Sequence, residues 1–186
     1  MGGAYDGRTD DGRAESMPLP SPDTEDDMQT RAEQVAGLKA DQQFWRDLAA
    51  EVTPERFDEP GAMGEWTFGD VAGHLVGWRN RSIMRFEALA RGEPDPLPED
   101  VESEDRVHAM NDQIREDHAG RSAAELVAAY DASYDRLIRA LEALPDEVFA
   151  EEHVIEWVGE PLLNLTLTGH LHEEHMPDIR AWLHGN

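Results

Sequence analysis

The sequence predicts an all-α four-helix bundle, and three observations carry that expectation. Long segments place apolar residues three and four positions apart, the mark of a helix that buries one face. Capping signals open these segments and prolines close them. Alternating apolar–polar runs are sparse, and there is no internal repeat or Gly-rich phosphate loop, which leaves a bundle as the economical architecture.

Residues 1–27 carry Gly, Asp, Ser and Pro with almost no large apolar residues and run into Thr24-Glu25-Asp26-Asp27. Such a composition buries too little surface to offset the entropy of ordering, so a disordered acidic tail is expected, followed by one bundle domain over 28–186. The first helix is expected from about Thr24 or Asp27 to Val52, burying Val35, Leu38, Phe44, Trp45, Leu48 and Val52 and ending at Thr53-Pro54. The second opens at Trp66-Thr67, with Thr67 as N-cap and Asp70 at the capping-box position, and runs to Ala90-Arg91. Gly92 and Glu93-Pro94-Asp95-Pro96-Leu97-Pro98 form the loop after it. The third segment has two parts. Ser103 to about His118 reads as helical, Gly120 interrupts, and the capping box Ser122-Ala123-Ala124-Glu125 starts a periodic run to Leu144, stopped by Pro145. A short extended piece is expected at His153-Val154-Ile155, and the last helix over Asn164–Trp182.

Composition narrows the function. The formal charge is −25, which repels phosphate backbones and anionic membranes, so neither nucleic acid nor a membrane is an expected partner. No apolar run approaches the roughly 20 residues that span a bilayer, and the N-terminus lacks signal-peptide regions, so a cytoplasmic protein is expected. Lys39 is the only lysine beside 15 arginines, a bias that fits a GC-rich genome or a salt-adapted acidic surface. Cysteine is absent. Any metal must rest on His, Asp or Glu, and any thiol must come from outside.

Helical spacing singles out two histidines of the last segment. At roughly 100° per residue, Leu165, Thr168, His172, His175, Ile179 and Trp182 share one stripe, while His170 points roughly the opposite way. His172 and His175 thus enter an apolar interior, where an imidazole needs a hydrogen-bond partner or a metal. His74 lies at the edge of the second helix's stripe of Phe68, Val71, Leu75, Trp78, Ser82, Phe86 and Leu89. Two histidines on one helix face and a third from a neighbour make a three-imidazole site with open positions for zinc or nickel. A polar seam bonded to Thr168, Glu174 or water is the other reading. Arg81 and Arg85, beside His74, are candidates to receive a substrate carboxylate or to pair with surface acids. No nucleophile-elbow context supports a Ser-His-Asp arrangement.

Two stretches, Trp66-Thr67-Phe68-Gly69-Asp70-Val71-Ala72-Gly73-His74-Leu75-Val76-Gly77-Trp78 and His172-Glu173-Glu174-His175-Met176-Pro177-Asp178-Ile179-Arg180-Ala181-Trp182, together with Asn111 and Ala140-Leu141-Glu142-Ala143-Leu144-Pro145-Asp146-Glu147, resemble the DinB/YfiT-like superfamily of four-helix bundles, closest to its ClbS/DfsB-like branch. The resemblance spans about residues 28–184. It implies a metal held by one histidine of the second helix, matched by His74, and two of the last, usually four apart, matched at their end by His175. The remaining ligand position falls on Leu171, with His172 one residue on, so either His172 substitutes with a shift in helix geometry or the ion is lost. Pro177 removes an amide just past His175 and can kink the helix.

The implied activities are thiol-dependent transfer or isomerisation with a low-molecular-weight thiol, and protection by opening a reactive ring. The expected function is small-molecule detoxification by metal- or histidine-assisted hydrolysis or thiol transfer on a reactive electrophile. The proposed metal set is His74, His172 and His175, with Trp78, Asn111, Arg81 and Arg85 toward the substrate. The alternative is a non-catalytic bundle that sequesters a small molecule, and a homodimer is compatible with either.

Overall fold

The computed structural model describes residues 30–97, 104–150, 152–157 and 159–185. The acidic tail, Pro98 and the Ser103 start of the third segment lie outside the described residues.

The described chain is helical, with two small hairpins. Helix α1 spans Arg31–Val52 and begins at a capping box in which Thr30 accepts from the Glu33 amide. Strands β1 (Pro60–Met63) and β2 (Trp66–Thr67) pair antiparallel before α2, Phe68–Ala90. The capping box expected at Thr67 and Asp70 is in place. Helix α3 covers Glu104–Asp117, and α4 covers Ala123–Glu142 behind the Ser122/Glu125 capping box. The extended piece at Val154–Ile155 is strand β3, paired with β4 at Glu160–Pro161.

The last segment departs from a continuous helix over Asn164–Trp182. A 3-10 turn at Leu162–Asn164 and an irregular stretch lead into a π-helical turn at His170–His175, and only Met176–Leu183 forms an α-helix, α5. In the π-turn the backbone bonds to the residue five back rather than four; the Met176 N–H donates to the Leu171 carbonyl. Pro177 sits in the first turn of α5, where its missing N–H leaves no bond unmade.

The core is built from α1, α2 and α4, closed by the C-terminal segment. Leu38, Trp45, Leu48 and Val52 meet Phe68, Val71, Leu75 and Phe86 from α2 and Tyr130, Tyr134, Leu137 and Leu141 from α4, while Leu171 and Ile179 close the end. Phe44 is only partly buried. Helix α3 lies outside this core against α2 and buries Ile114. That approach requires glycine: a Cβ at Gly77 would fall 2.4 Å from Ile114 Cγ2.

A polar cluster crosses the core. The Arg79 guanidinium is buried over the rings of Tyr130 and Tyr134, at 4.0 and 3.8 Å from their centroids. It donates to the Tyr130 hydroxyl at 2.5 Å and to Ser133 Oγ at 3.2 Å. Tyr134 in turn donates to Asp41 Oδ2 at 2.7 Å. A buried cation and a buried anion are thus held within one set of aromatic and hydroxyl contacts, the arrangement that makes interior charge tolerable.

Candidate functional site

The sequence places a histidine at His74, about two helical turns past the Thr67 cap, and three more in the π-turn region. In an α-helix, residues five apart are separated by about 140° around the axis, so regular helical spacing turns His170 away from the face of His175. The π-turn widens the ladder and brings both to the same face. His170 Nε2 lies 3.1 Å from His74 Nε2 and 3.2 Å from His175 Nε2. One nitrogen from each of His74, His170 and His175 lies within 4.8 Å of the others.

His172 is not in this cluster, and that corrects the expected trio. Its Nε2 faces Asp41 Oδ1 at 2.5 Å, and its ring rests 4.7 Å from that of Phe44. His74 and His175 fall where the sequence put them; His170 takes the third place. The physical reason is the extra residue between His170 and His175, which a π-turn accommodates without displacing either end.

The cluster's chemistry is that of neutral imidazoles. Burial, reinforced by His170 and His175, pushes His74 down to about 3. Burial and then Arg79 lower His170 to about 4. Burial and then His170 lower His175 to about 4, against the opposing pull of Glu174 and Asp178. Each ring nitrogen carries either one N–H or one lone pair, so His170 Nε2 cannot make a sound hydrogen bond to both neighbours. His175 Nδ1 faces Met63 Sδ at 3.1 Å; a thioether only accepts, so the proton sits on Nδ1 and the Nε2 lone pair points into the cluster. His74 Nδ1 is buried without a hydrogen-bond partner among the described residues.

These features fit a divalent ion. Three nitrogens each about 2.0–2.1 Å from a tetrahedral ion lie about 3.3–3.4 Å from one another, close to the 3.1 and 3.2 Å that separate His170 from its two neighbours. An ion would satisfy lone pairs that the protein leaves facing one another.

Trp78 and Asn111 border the same place. A cleft of about 320 Å³ is lined by His74, Trp78, Val107, Asn111, His170 and Glu174. The Trp78 indole N–H donates to Asn111 Oδ1 at 2.9 Å. Since indole nitrogen only donates, this fixes the amide and leaves the Asn111 NH₂ as the donor on offer. Glu174 Oε2 is 3.6 Å from His170 Nε2 on a largely exposed side chain. On the other side of His74, a second cleft of about 250 Å³ includes Trp66, Asn111, Arg115, His118 and Arg121.

Arg81 and Arg85 line neither cleft. Arg85 is bonded to Asp95 Oδ1 and the Leu97 carbonyl, and Arg81 reaches Met110 Sδ. The sequence reading missed Met63, and gave Glu174 only as a partner of the imidazoles in a polar seam, not as a wall of the cleft. Met63 arrives on the β1–β2 hairpin, whose turn is marked in sequence by Gly64, with φ 57°. Glu174 is one of an acidic pair that resembles any solvated surface.

A family model described as the mycothiol maleylpyruvate isomerase N-terminal domain matches residues 38–176. No curated protein and no solved structure matches the chain. The matched region contains α2, α4, the π-turn and all three clustered histidines. The helical architecture and the match over most of its length agree: the chain belongs to the mycothiol maleylpyruvate isomerase N-terminal domain family, within the DinB/YfiT-like superfamily.

Proposed function

We propose that this protein is a divalent-metal-dependent enzyme that directs a low-molecular-weight thiol, of the mycothiol kind, onto a small reactive electrophile. His74, His170 and His175 are the residues that would hold the ion, and zinc or nickel suits an all-imidazole donor set. The chemistry supplied there is Lewis acidity, which lowers the pKa of a thiol and polarises a carbonyl oxygen. The observation that carries this reading is the convergence of three neutral Nε2 atoms at 3.1 and 3.2 Å beside an open cleft.

The chain's own residues complete the reaction site. With no cysteine, the chain supplies no thiolate, so the nucleophile enters with its own carrier. Glu174 lines the cleft and is placed to take the thiol proton on Oε2. The Asn111 NH₂ donates to an oxygen of the bound electrophile, and the Trp78 ring covers one side of it. The family's description favours thiol transfer or isomerisation over the ring-opening chemistry of the ClbS/DfsB-like branch. Removal of a reactive electrophile is a detoxifying role, suited to a cytoplasm that keeps thiols reduced.

The test uses protein purified without an affinity tag, analysed for zinc and nickel, then assayed with a low-molecular-weight thiol and an activated enone. One ion per chain and thiol-dependent turnover at sub-stoichiometric protein are expected, both lost in His170→Ala. Metal that survives unchanged in His170→Ala refutes the ligand set. Saturable one-to-one capture of the enone without turnover favours the sequestering alternative.

A further inference from the structure

The π-turn is held from the side by a residue that spacing alone would assign to the metal. His172 Nε2–H donates to Asp41 Oδ1, and the same carboxylate accepts from Tyr134 on its other oxygen. Asp41 is a poor surface partner: its side chain is 3 % exposed, whereas that of His172 is 40 % exposed. The carboxylate is therefore anchored in the core, between α1 and α4, and the imidazole comes to it. Phe44, one turn further along α1, rests against the other side of the contact, 4.7 Å from the His172 ring.

A π-turn has a wider and less favourable ladder than an α-helix, and an isolated one relaxes unless something holds it. Two ties hold this one. His175 at its end is fixed through Met63, and His172 in its middle is fixed through Asp41. His170, which makes the Nε2 contacts to both other histidines, sits one residue-pair before the Asp41 tie. If the segment relaxed to α-helical spacing, His170 would swing about 140° from His175 and leave the cluster.

We propose that His172, anchored by Asp41, is a positioning residue that holds the π-turn and thereby keeps His170 in the three-imidazole set. This inference rests on the metal reading above for its consequence, though not for the geometry it describes. Asp41 extends the polar line through Tyr134, Tyr130 and Arg79 to the wall of the turn, so the core itself sets the position of the third nitrogen.

Two variants separate the positioning role from other roles. His172→Phe keeps ring volume against Phe44 and leaves the Tyr134–Asp41 bond intact, removing only the N–H. His172→Gln restores an N–H donor of similar reach. Zinc affinity is measured by chelator competition, the cobalt(II)-substituted protein by its visible spectrum, and the metal-free protein by amide hydrogen exchange over 170–176. In His172→Phe, zinc still binds one to one but about 10–100-fold more weakly, the loss usual when a residue that orients a ligand is removed. Its cobalt(II) spectrum broadens, and exchange over 170–176 rises about tenfold. His172→Gln recovers most of both.

Wild-type zinc affinity and exchange in His172→Phe would overturn the proposal. So would loss of zinc to the level of His170→Ala with no recovery in His172→Gln, because that makes His172 a ligand. If the wild-type chain binds no zinc or cobalt, the proposed function fails by itself. The exchange comparison then still decides whether His172 holds the turn.

Discussion

Two buried polar clusters lie in this bundle, and they resolve the cost of burial in opposite ways. In the Arg79–Tyr130–Tyr134–Asp41 cluster, Arg79 donates to two hydroxyls, Tyr134 donates to Asp41, and Ser133 donates on to the Tyr130 carbonyl. In the His74–His170–His175 cluster, ring nitrogens face ring nitrogens and His74 Nδ1 has no partner among the described residues. The first is satisfied within the protein; the second leaves lone pairs facing one another, which is why it is the cluster proposed to take an ion. The two meet at Asp41, which closes the first cluster and anchors His172 in the turn that supplies His170.

Substitutions should separate the two clusters. The largest effect expected is on metal binding: His170→Ala or His175→Ala removes a ligand and should lower zinc affinity by more than the roughly 100-fold that an orienting residue costs, as read by chelator competition. Loss of affinity no greater than that in either variant would show that the nitrogens do not share an ion. In the metal-free protein the same substitutions should cost less stability than any change in the polar cluster. Arg79→Met leaves the buried hydroxyls of Tyr130 and Ser133 without the guanidinium that donates to them. It should destabilise by about 1–3 kcal/mol in urea unfolding, the cost of leaving a buried polar group without its partner. A loss under 1 kcal/mol would mean that the cluster is not coupled in this way.

Acid should act on the imidazole cluster first. The folded values of the three histidines lie near 3 to 4, below the ordinary 6.5 of the unfolded chain. Between those limits the unfolded chain binds more protons than the folded one, so the contribution is complete above about pH 6.5 and declines as pH falls toward 4. Metal-free protein should therefore lose stability over that window. Zinc at 100 times its dissociation constant should add about 2.7 kcal/mol at neutral pH and progressively less as the imidazoles protonate. A shallower slope from pH 7 to 4.5 in His74→Ala than in the wild type, with the share of His170 and His175 remaining, would sharpen the assignment. The smallest effect belongs to the scaffold: Ser122→Ala removes an N-cap of α4 and should cost about 1 kcal/mol without moving zinc affinity.

Much of the scaffold could be read from the chain. The Thr67/Asp70 and Ser122/Glu125 capping boxes and the apolar stripes of α1 and α4 are local signals, and each is present as read. His74 and His175 were legible for the same reason, since each lies on a face that periodicity identifies. His170 was not legible, because its position depends on a change of helical period that starts and ends within six residues. Periodicity averages over longer windows than that, and the only local hint was Pro177 just past the turn. The β1–β2 hairpin and Met63 were hidden by the shortness of the strands, and the engagement of Arg81 and Arg85 depends on residues of the following loop and of α3. The general pattern is that the repeating part of the chain announces itself and the exceptional part, where the chemistry is proposed, does not.

The account turns on one substitution of nitrogen for nitrogen. Zinc stoichiometry in untagged His170→Ala and His172→Ala, measured side by side, tests it most directly. One ion per chain retained in His172→Ala and lost in His170→Ala is the predicted result; the reverse pattern would return His172 to the metal and contradict the site described here.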